Sequence, residues 1–400
     1  MPSSSIHFGC LEKKLLVACA RAHLTPAIAA EIRALLAEPL DWGYLFAEAA
    51  ENSIVPLFAR NLQAVGLDLL PAAQLPRLKD VSRRNTVRCL YLVAELNRLL
   101  DLFEARGVVA FPFKGPALAA QAYGDMVLRD FDDLDLLMPQ RDFALAHEIL
   151  LKSGYLPRYP WILSPGARNS LVPGEYHYRD EGRRILVELH TDFTLRHFPK
   201  TPDIEALAEP AAFVSLAGRS VRTFSPEVNL ALLAIHGAKD FWERLSWIAD
   251  ISELIQSQPT FDWGAARLCA ASLGATRMVN LALTLAHDLL DAPLPPGILS
   301  LINQDAGATW LARQVYPRLL RREIPPWSGL DRFRFRARAI SSGIAGFRYS
   351  LRLSTAPAEE DWEMIRLPRP LAPLYLVLRP FRLFRKYGFA RPRSVRVSSE

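Results

Sequence analysis

The sequence predicts an α+β protein, a small mixed β-sheet core flanked by N-terminal and C-terminal helical regions. Three observations carry that prediction. Apolar residues recur every three or four positions up to about residue 106, as on one face of a helix. Between 108 and 222 the pattern turns into short β-branched or aromatic runs bounded by turn residues. From Ser225 onward the helical period returns. The chain has 400 residues, more than one small core needs, since domains usually run to ~100–200 residues. Four regions are expected: a helical region over 1–106, an α/β core over 107–224, a helical domain over 225–322 and a basic helical tail over 323–400.

Taken in order, residues 10–37 and 41–66 read as helices. A longer helix is expected from Leu75 to Arg106, where Leu78, Val81, Leu92, Leu96, Leu99 and Phe103 share a face and Gly107 supplies a stop. VVAFPF, from Val108, is strand-like. Gly115-Pro116 opens a short helix, with proline where the first turn leaves an N–H unpaired in any case. DDLDLLM, after Arg129, is a second strand, and residues 140–154 return to helical period and stop at Gly154. Two more strands are expected at Glu175–Arg179 and Arg184–Leu189, separated by the turn-like Asp180-Glu181-Gly182. Ser225-Pro226-Glu227 is a helix start: a capping hydroxyl, a first-position proline and a first-turn acid. Helices follow over 226–237, 241–257, 262–273, 275–291 and 307–320, with Pro-rich joints at 293–296 and 324–326.

Composition narrows the class. Half the residues are hydrophobic and 22% are charged, a globular balance that argues against wholesale disorder. No apolar run approaches the ~18–20 residues a membrane helix needs, so no transmembrane segment is expected. MPSSSIHFGCLEKK lacks the charged-then-apolar layout of a secretory signal, and a cytoplasmic location is the expectation. Cys10, Cys19, Cys89 and Cys269 lie far apart with no CxxC, which fails both the metal-knuckle and the disulfide-framework readings. The formal charge is +6, and the excess arginine gathers at Arg332–Arg338, Arg348–Arg352 and Arg379–Arg396. Leu371–Phe389 interleaves arginines with leucines and aromatics, a pattern suited to an anionic surface and equally to docking on the protein's own helices.

The chemistry concentrates in the middle of the chain. Asp133 and Asp135 stand two apart on a strand, so their carboxylates share one face while Leu134 and Leu136 point the other way. Paired carboxylates in an apolar strand repel each other and lose hydration unless a cation neutralises them, and hard oxygen ligands suit Mg²⁺ or Mn²⁺. Upstream, the strand VVAFPF runs into Lys114-Gly115 at a strand-to-helix turn. A glycine there lets a phosphate approach backbone N–H groups, and the lysine adds a cation. Downstream, Glu188 sits between Val187 and Leu189 on another core strand. Three acids on neighbouring strands facing such a turn form the layout of two-metal phosphoryl transfer. No Walker loop, dinucleotide-binding glycine turn or G-x-S-x-G elbow occurs. His147-Glu148 has no second histidine four residues on, which removes a zinc-protease reading.

These residues resemble the polymerase-beta-like nucleotidyltransferase superfamily, and more closely a bacterial family of uncharacterised nucleotidyltransferases. The likeness rests on the Lys114-Gly115 turn, the R-x-x-x-D-x-D run from Arg129 to Asp135, Glu188-Leu189-His190, His236-Gly237-Ala238-Lys239, and Trp247-Ile248-Ala249-Asp250. It spans roughly residues 40 to 290. The resemblance implies that Asp133, Asp135 and Glu188 bind Mg²⁺ (or Mn²⁺) and are catalytic, with Glu188 favouring deprotonation of an acceptor hydroxyl. It implies that Lys114 and Gly115 seat the phosphates of a nucleoside triphosphate and that Arg129 contacts phosphate or pins the acidic strand. His190, His236, Lys239 and Asp250 join the nucleotide-binding set. The implied reaction is attack on the α-phosphorus with pyrophosphate release, on an acceptor that is a protein, peptide, sugar or RNA. One departure stands out: Pro116 occupies the place of the family's usual serine, so that hydroxyl is missing from the phosphate turn. Two rival readings stay open at this stage, a toxin-like transferase acting on transfer RNA and a non-catalytic nucleotide-binding scaffold or sensor of the same fold.

Overall fold

A computed structural model of the chain describes residues 7–158, 174–192, 203–323 and 327–340, with scattered positions between 344 and 382. The N-terminal region is built from α1 (Leu11–Cys19), α2 (Pro26–Leu36), α3 (Trp42–Glu51), α4 (Val55–Val65) and the 30-residue α5 (Leu75–Glu104). The two long helices expected over 10–37 and 41–66 are thus four short ones. Pro26 and Pro56 cannot continue a preceding helix, and each instead stands in the first turn of a new one. Thr25 caps α2 through the Ile28 N–H, and Asp41 caps α3 through the Tyr44 N–H.

A five-stranded sheet follows. Strand β1 (Phe111–Pro112) is shorter than VVAFPF suggested, and α6 (Gly115–Leu118) runs on into a π-helical turn over Ala119–Tyr123. Next come β2 (Asp133–Leu137), α7 (Phe143–Lys152), β3 (Leu156–Pro157), β4 (Glu175–Asp180) and β5 (Ile185–His190). The spatial order is β1-β2-β5-β4-β3. β2 and β5 are parallel, and the other pairings are antiparallel, so the sheet is mixed as expected. After α8 (Ile204–Leu207), a hairpin of β6 (Ala212–Leu216) and β7 (Arg219–Thr223) stands apart. Its turn uses Ala217 and Gly218, both at positive φ.

The C-terminal helices are α9 (Pro226–Lys239), α10 (Leu245–Gln256), α11 (Trp263–Ser272), α12 (Thr276–Leu290), α13 (Pro296–Gln304), α14 (Ala306–Leu320) and α15 (Gly329–Ala339). Helix α9 begins where Ser225-Pro226-Glu227 predicted, with the Ser225 hydroxyl accepting from the Val228 N–H. Helix α13 was hidden by its proline, which stands at the helix start. Arginines of the 332–338 run pack on the protein's own rings: Arg332 and Arg336 lie over Phe241, and Arg338 over Trp310. The runs Arg348–Arg352 and Arg379–Arg396, the joint at 324–326 and most of Leu371–Phe389 lie outside the described residues. Among the described residues no helix is long and apolar enough to cross a membrane.

Two apolar clusters organise these elements. One joins the sheet's inner face (Leu134, Leu136, Val187, Leu189, Tyr178) to α7 and the second half of α5. The other joins α1–α4 to α9–α14 and receives Phe111, Phe113 and Leu137 from the sheet region. The sheet's second face therefore looks toward the helical half of the molecule. At that junction α9 ends and the chain reverses through Phe241 and Trp242, both at positive φ. Trp242 is fully buried, and a Cβ on Gly237 would lie 2.6 Å from its ring. We expect Gly237→Ala to destabilise the fold by about 1–3 kcal/mol, the usual cost of overpacking. Urea unfolding measures it, and an unchanged midpoint would mean that α9 and the 241–242 turn are free to separate.

Candidate active site

Side-chain alternation puts one polar set on the sheet's second face. Register places Asp135 of β2 opposite Glu188 of β5, and Glu188 opposite His177 of β4. The next row pairs Leu137, His190 and Glu175. Asp133 shares the face but stands opposite Leu186. Of these, Asp133, Asp135, Glu175, Glu188 and His190 line a cleft of about 440 Å³ whose far wall carries His236, Lys239, Arg244 and Trp247 from α9 and α10.

Asp135 is the most tightly held of the acids. It is 4% exposed, and Oδ1 lies 2.9 Å from Lys114 Nζ and 3.0 Å from His190 Nε2. Burial opposes its ionisation, but Lys114 and His190 hold it far below the usual carboxylate range. Burial likewise opposes charge on His190, and its contacts with Asp135 and Glu188 outweigh that and raise it to about 9. Asp133 is the opposite case. Among the described residues it has no hydrogen bond or ion pair, and burial with repulsion from Asp135 and Glu188 pushes its carboxyl up to about 7. A half-buried, unpartnered carboxylate beside two other acids fits a site that takes a divalent cation. Oxygen donors of this kind suit Mg²⁺ or Mn²⁺.

The atoms that lie mutually within 4.8 Å belong to Asp135, Glu188 and His190, and separately to Glu175, His177 and Glu188. Asp133 is on the rim of the first group, one row along the strand. Glu175 and His177 were missed in the sequence although a signal was present. Glu175-Tyr176-His177 repeats the E-x-H spacing of Glu188-Leu189-His190, and two such runs joined by a short turn cross-pair in an antiparallel ladder.

The remaining predicted residues divide by position. Gly115 takes φ +51, and a Cβ there would lie 3.3 Å from the Asp133 carbonyl oxygen. The glycine thus serves a left-handed turn packed closely on β2. Lys239 reaches across to pair with Glu175. His236 sits edge-on to Trp247, with ring centroids 5.0 Å apart. Burial and the charges of Lys114 and Lys239 push His236 well below its ordinary value, so it is a neutral imidazole rather than a cation at a helix end.

Arg129 and Asp250 are spent on each other. Arg129 Nε and Nη2 donate to the two Asp250 oxygens at 2.8 and 2.9 Å, and the Tyr123 hydroxyl donates to Oδ1 at 2.8 Å. Asp250 is 1% exposed and lies behind Trp247, outside the cleft lining. In this arrangement Arg129 pins the approach to the acidic strand onto α10.

Fold and site together define a class, that of the nucleotidyltransferases. The chain belongs to the family described as uncharacterised nucleotidyltransferase, whose model matches residues 38–291. No curated protein matches it. Among solved structures, the antibiotic-resistance factor ANT(2'')-Ia in solution is 18% identical, with 49% of this chain and 89% of that one covered at a TM-score of 0.28. ANT(2'')-Ia in complex with adenylyl-2''-tobramycin gives 18% identity, 48% and 96% coverage, and a TM-score of 0.29. An antigenic nucleotidyltransferase-like protein from Paracoccidioides brasiliensis gives 19%, 52% and 93%, and 0.28. At such TM-scores these likenesses carry no argument about this site.

The Arg129–Asp250 pair generates a test of its own. Removing one partner of a buried pair strands the other charge and costs roughly 3–5 kcal/mol, whereas replacing both with apolar residues costs much less. Asp250→Ala is expected to show the large loss, and Arg129→Met/Asp250→Leu to recover most of it, in denaturant unfolding. A near-silent Asp250→Ala would remove the pair's structural role.

Proposed function

We propose that this protein is a metal-dependent nucleotidyltransferase of the polymerase-beta-like superfamily. It moves a nucleoside monophosphate from a triphosphate to an acceptor hydroxyl, with release of pyrophosphate. The observation that carries the reading is the meeting, in one cleft, of Asp133, Asp135 and Glu188 with the Lys114-Gly115 turn. Asp133, Asp135 and Glu188 hold the divalent ion, Mg²⁺ or Mn²⁺, with His190 orienting Asp135 through its 3.0 Å contact. When bound, the ion neutralises phosphate charge that the carboxylates alone would repel.

The chain's own groups supply the rest. Lys114 is a fixed ammonium beside Asp135 and gives the triphosphate its first cation. Gly115 lets the turn pack closely on β2, which holds Lys114 at the cleft for the phosphates. Glu188 accepts the proton of the acceptor hydroxyl. Lys239 and His236 border the nucleotide from the opposite wall. The acceptor class (protein, peptide, sugar or RNA) follows from none of these residues.

A second reading, a nucleotide-binding scaffold without catalysis, is favoured by one observation. Pro116 offers no hydroxyl and no N–H where the phosphate turn normally has both. One measurement separates the outcomes. A ligand held at ~100 times its dissociation constant stabilises a fold by ~2.7 kcal/mol, a visible rise in melting temperature. We expect such a rise with one of the four ribonucleoside triphosphates plus Mg²⁺ or Mn²⁺, and its loss in Asp133→Asn/Asp135→Asn. Stabilisation without pyrophosphate release across protein, sugar and RNA acceptors would favour the scaffold, and no stabilisation by any triphosphate would end the transferase reading.

A further inference from the structure

Three cations of the cleft each have a carboxylate at ion-pair distance: Lys114 has Asp135, Lys239 has Glu175 and Arg129 has Asp250. Arg244, at the head of α10, differs from them. It lines the cleft, and among the described residues no carboxylate lies at ion-pair distance from it. Its Nη1 donates instead to the Ser53 hydroxyl at 3.2 Å, and its guanidinium lies over the Trp247 ring, 5.8 Å from the centroid. Two residues on, Ser246 lines the same cleft and is only 6% exposed, yet its hydroxyl has no hydrogen-bond partner among the described residues. Asn52 ties these groups together. Its side-chain oxygen accepts from the Leu245 N–H at 3.2 Å and its carbonyl from the Ser246 N–H at 3.1 Å, which sets Ser53 against the first turn of α10.

We propose that Arg244 and the Ser53 and Ser246 hydroxyls form an oxyanion subsite that binds a phosphate group. The phosphate belongs either to the tail of the donor triphosphate or to a phosphorylated acceptor, and that choice of source rests on the nucleotidyl-transfer reading.

Donor chemistry supports it. A guanidinium presents its N–H groups as a planar fork that matches the paired oxygens of a phosphate. The bond to Ser53 and the Trp247 ring hold that fork at the cleft while leaving donors for a ligand. The two hydroxyls add donors without adding charge. The first turn of α10 holds no acid to offset the positive end of the helix dipole, which favours the same ligand. Ser53 itself stands at φ 52, a left-handed conformation that glycine takes without strain. A serine there keeps a hydroxyl at the cleft that glycine would not supply.

The rest of the cleft leaves room for this role. Pro116 removes a hydroxyl from the Lys114-Gly115 turn, and Lys114 and Lys239 each already face a carboxylate. A phosphate entering the cleft therefore meets its uncommitted cation on α10. The acids nearby do not cancel that charge. Asp132 is paired with Arg88, and Asp240 faces His236 at 3.5 Å. Burial pushes the Asp130 and Asp240 carboxyls above their ordinary values, which disfavours their charge. Glu243 is exposed, where water and salt screen it.

The test uses the full chain at fixed ionic strength, titrated in a calorimeter with inorganic phosphate and with inorganic tripolyphosphate, in the absence of metal and nucleotide. Arg244→Gln is expected to weaken binding at least ~10-fold, the effect of losing charge-assisted hydrogen bonds. Ser246→Ala and Ser53→Gly are each expected to weaken it roughly 3–10-fold. Ser53→Gly carries the test if another variant fails to fold, because glycine suits the left-handed backbone. If the wild type binds neither anion, or if Arg244→Gln or both serine variants keep wild-type affinity, the proposal falls. The source is read from thermal stabilisation by Mg²⁺ and the ribonucleoside triphosphate that stabilises the wild type. Arg244→Gln loses that stabilisation if the subsite holds the donor's tail, and keeps it if the phosphate is the acceptor's. Phosphate binding that the variants weaken, with no stabilisation of the wild type by any triphosphate, overturns the transfer reading and leaves the subsite standing.

Discussion

The parallel pairing of β2 with β5 is the constraint on which the site depends. It sets Asp135 across from Glu188 and, through β4, brings His177 and Glu175 onto the same face. A slip of one residue would exchange faces, sending carboxylates into the core and leucines into the cleft. Burial resists that slip. Leu134, Leu136, Val187 and Leu189 are at most 1% exposed, and each is worth about 1.5–3 kcal/mol relative to exposure. Two like charges ~4 Å apart cost roughly 1–4 kcal/mol between the water and near-surface limits. The apolar face of the sheet thus outweighs the repulsion that its polar face creates.

Within that frame the two acids of D-x-D are not equivalent. Asp135 points between Lys114 and His190 and stays ionised. Asp133, one row along, has only the field of its neighbours, which works against its charge. The strand therefore holds one permanently charged carboxylate and one whose charge awaits a cation. Lys114 has a matching role: buried with Asp135 and raised above its ordinary value despite that burial, it stays an ammonium throughout. On the proposed reading, a cation entering the cleft would meet a preformed anion in Asp135 and complete the ionisation of Asp133, which would couple binding to proton release.

Much of this was legible in the sequence, and the reasons are local. A D-x-D on a strand places two carboxylates on one face whatever the fold, and Ser225-Pro226-Glu227 starts a helix by backbone chemistry alone. Strand β4 and its turn into β5 were also visible, because alternation and Asp180-Glu181-Gly182 are short-range signals. What stayed hidden depends on partners distant in sequence. Nothing near Glu175 tells that Lys239 will arrive from α9. Proline misled in two directions, concealing α13 and failing to break up 10–37 and 41–66, because its meaning depends on whether it stands at a helix start or inside one.

The family's more distant motif residues divide between chemistry and framework. In H-G-x-K, Lys239 reaches the cleft, but Gly237 exists to admit the Trp242 ring, which lets the chain reverse and deliver Arg244 and Trp247 to the far wall. In W-x-x-D, Trp247 lines the cleft while Asp250, one turn further, faces inward to clamp Arg129 and Tyr123. That clamp ties three segments together: the π-helical turn that follows α6, the lead into β2, and α10. A bidentate arginine–carboxylate pair has strict planarity and direction, so it fixes orientation where apolar packing alone would leave freedom. The cleft's two walls come from opposite halves of the chain, and Arg129–Asp250 joins Lys239–Glu175 as a polar bond between them. Arg129 thus belongs to the motif that defines the acids: its guanidinium is held by Asp250 while the residue itself borders the cleft.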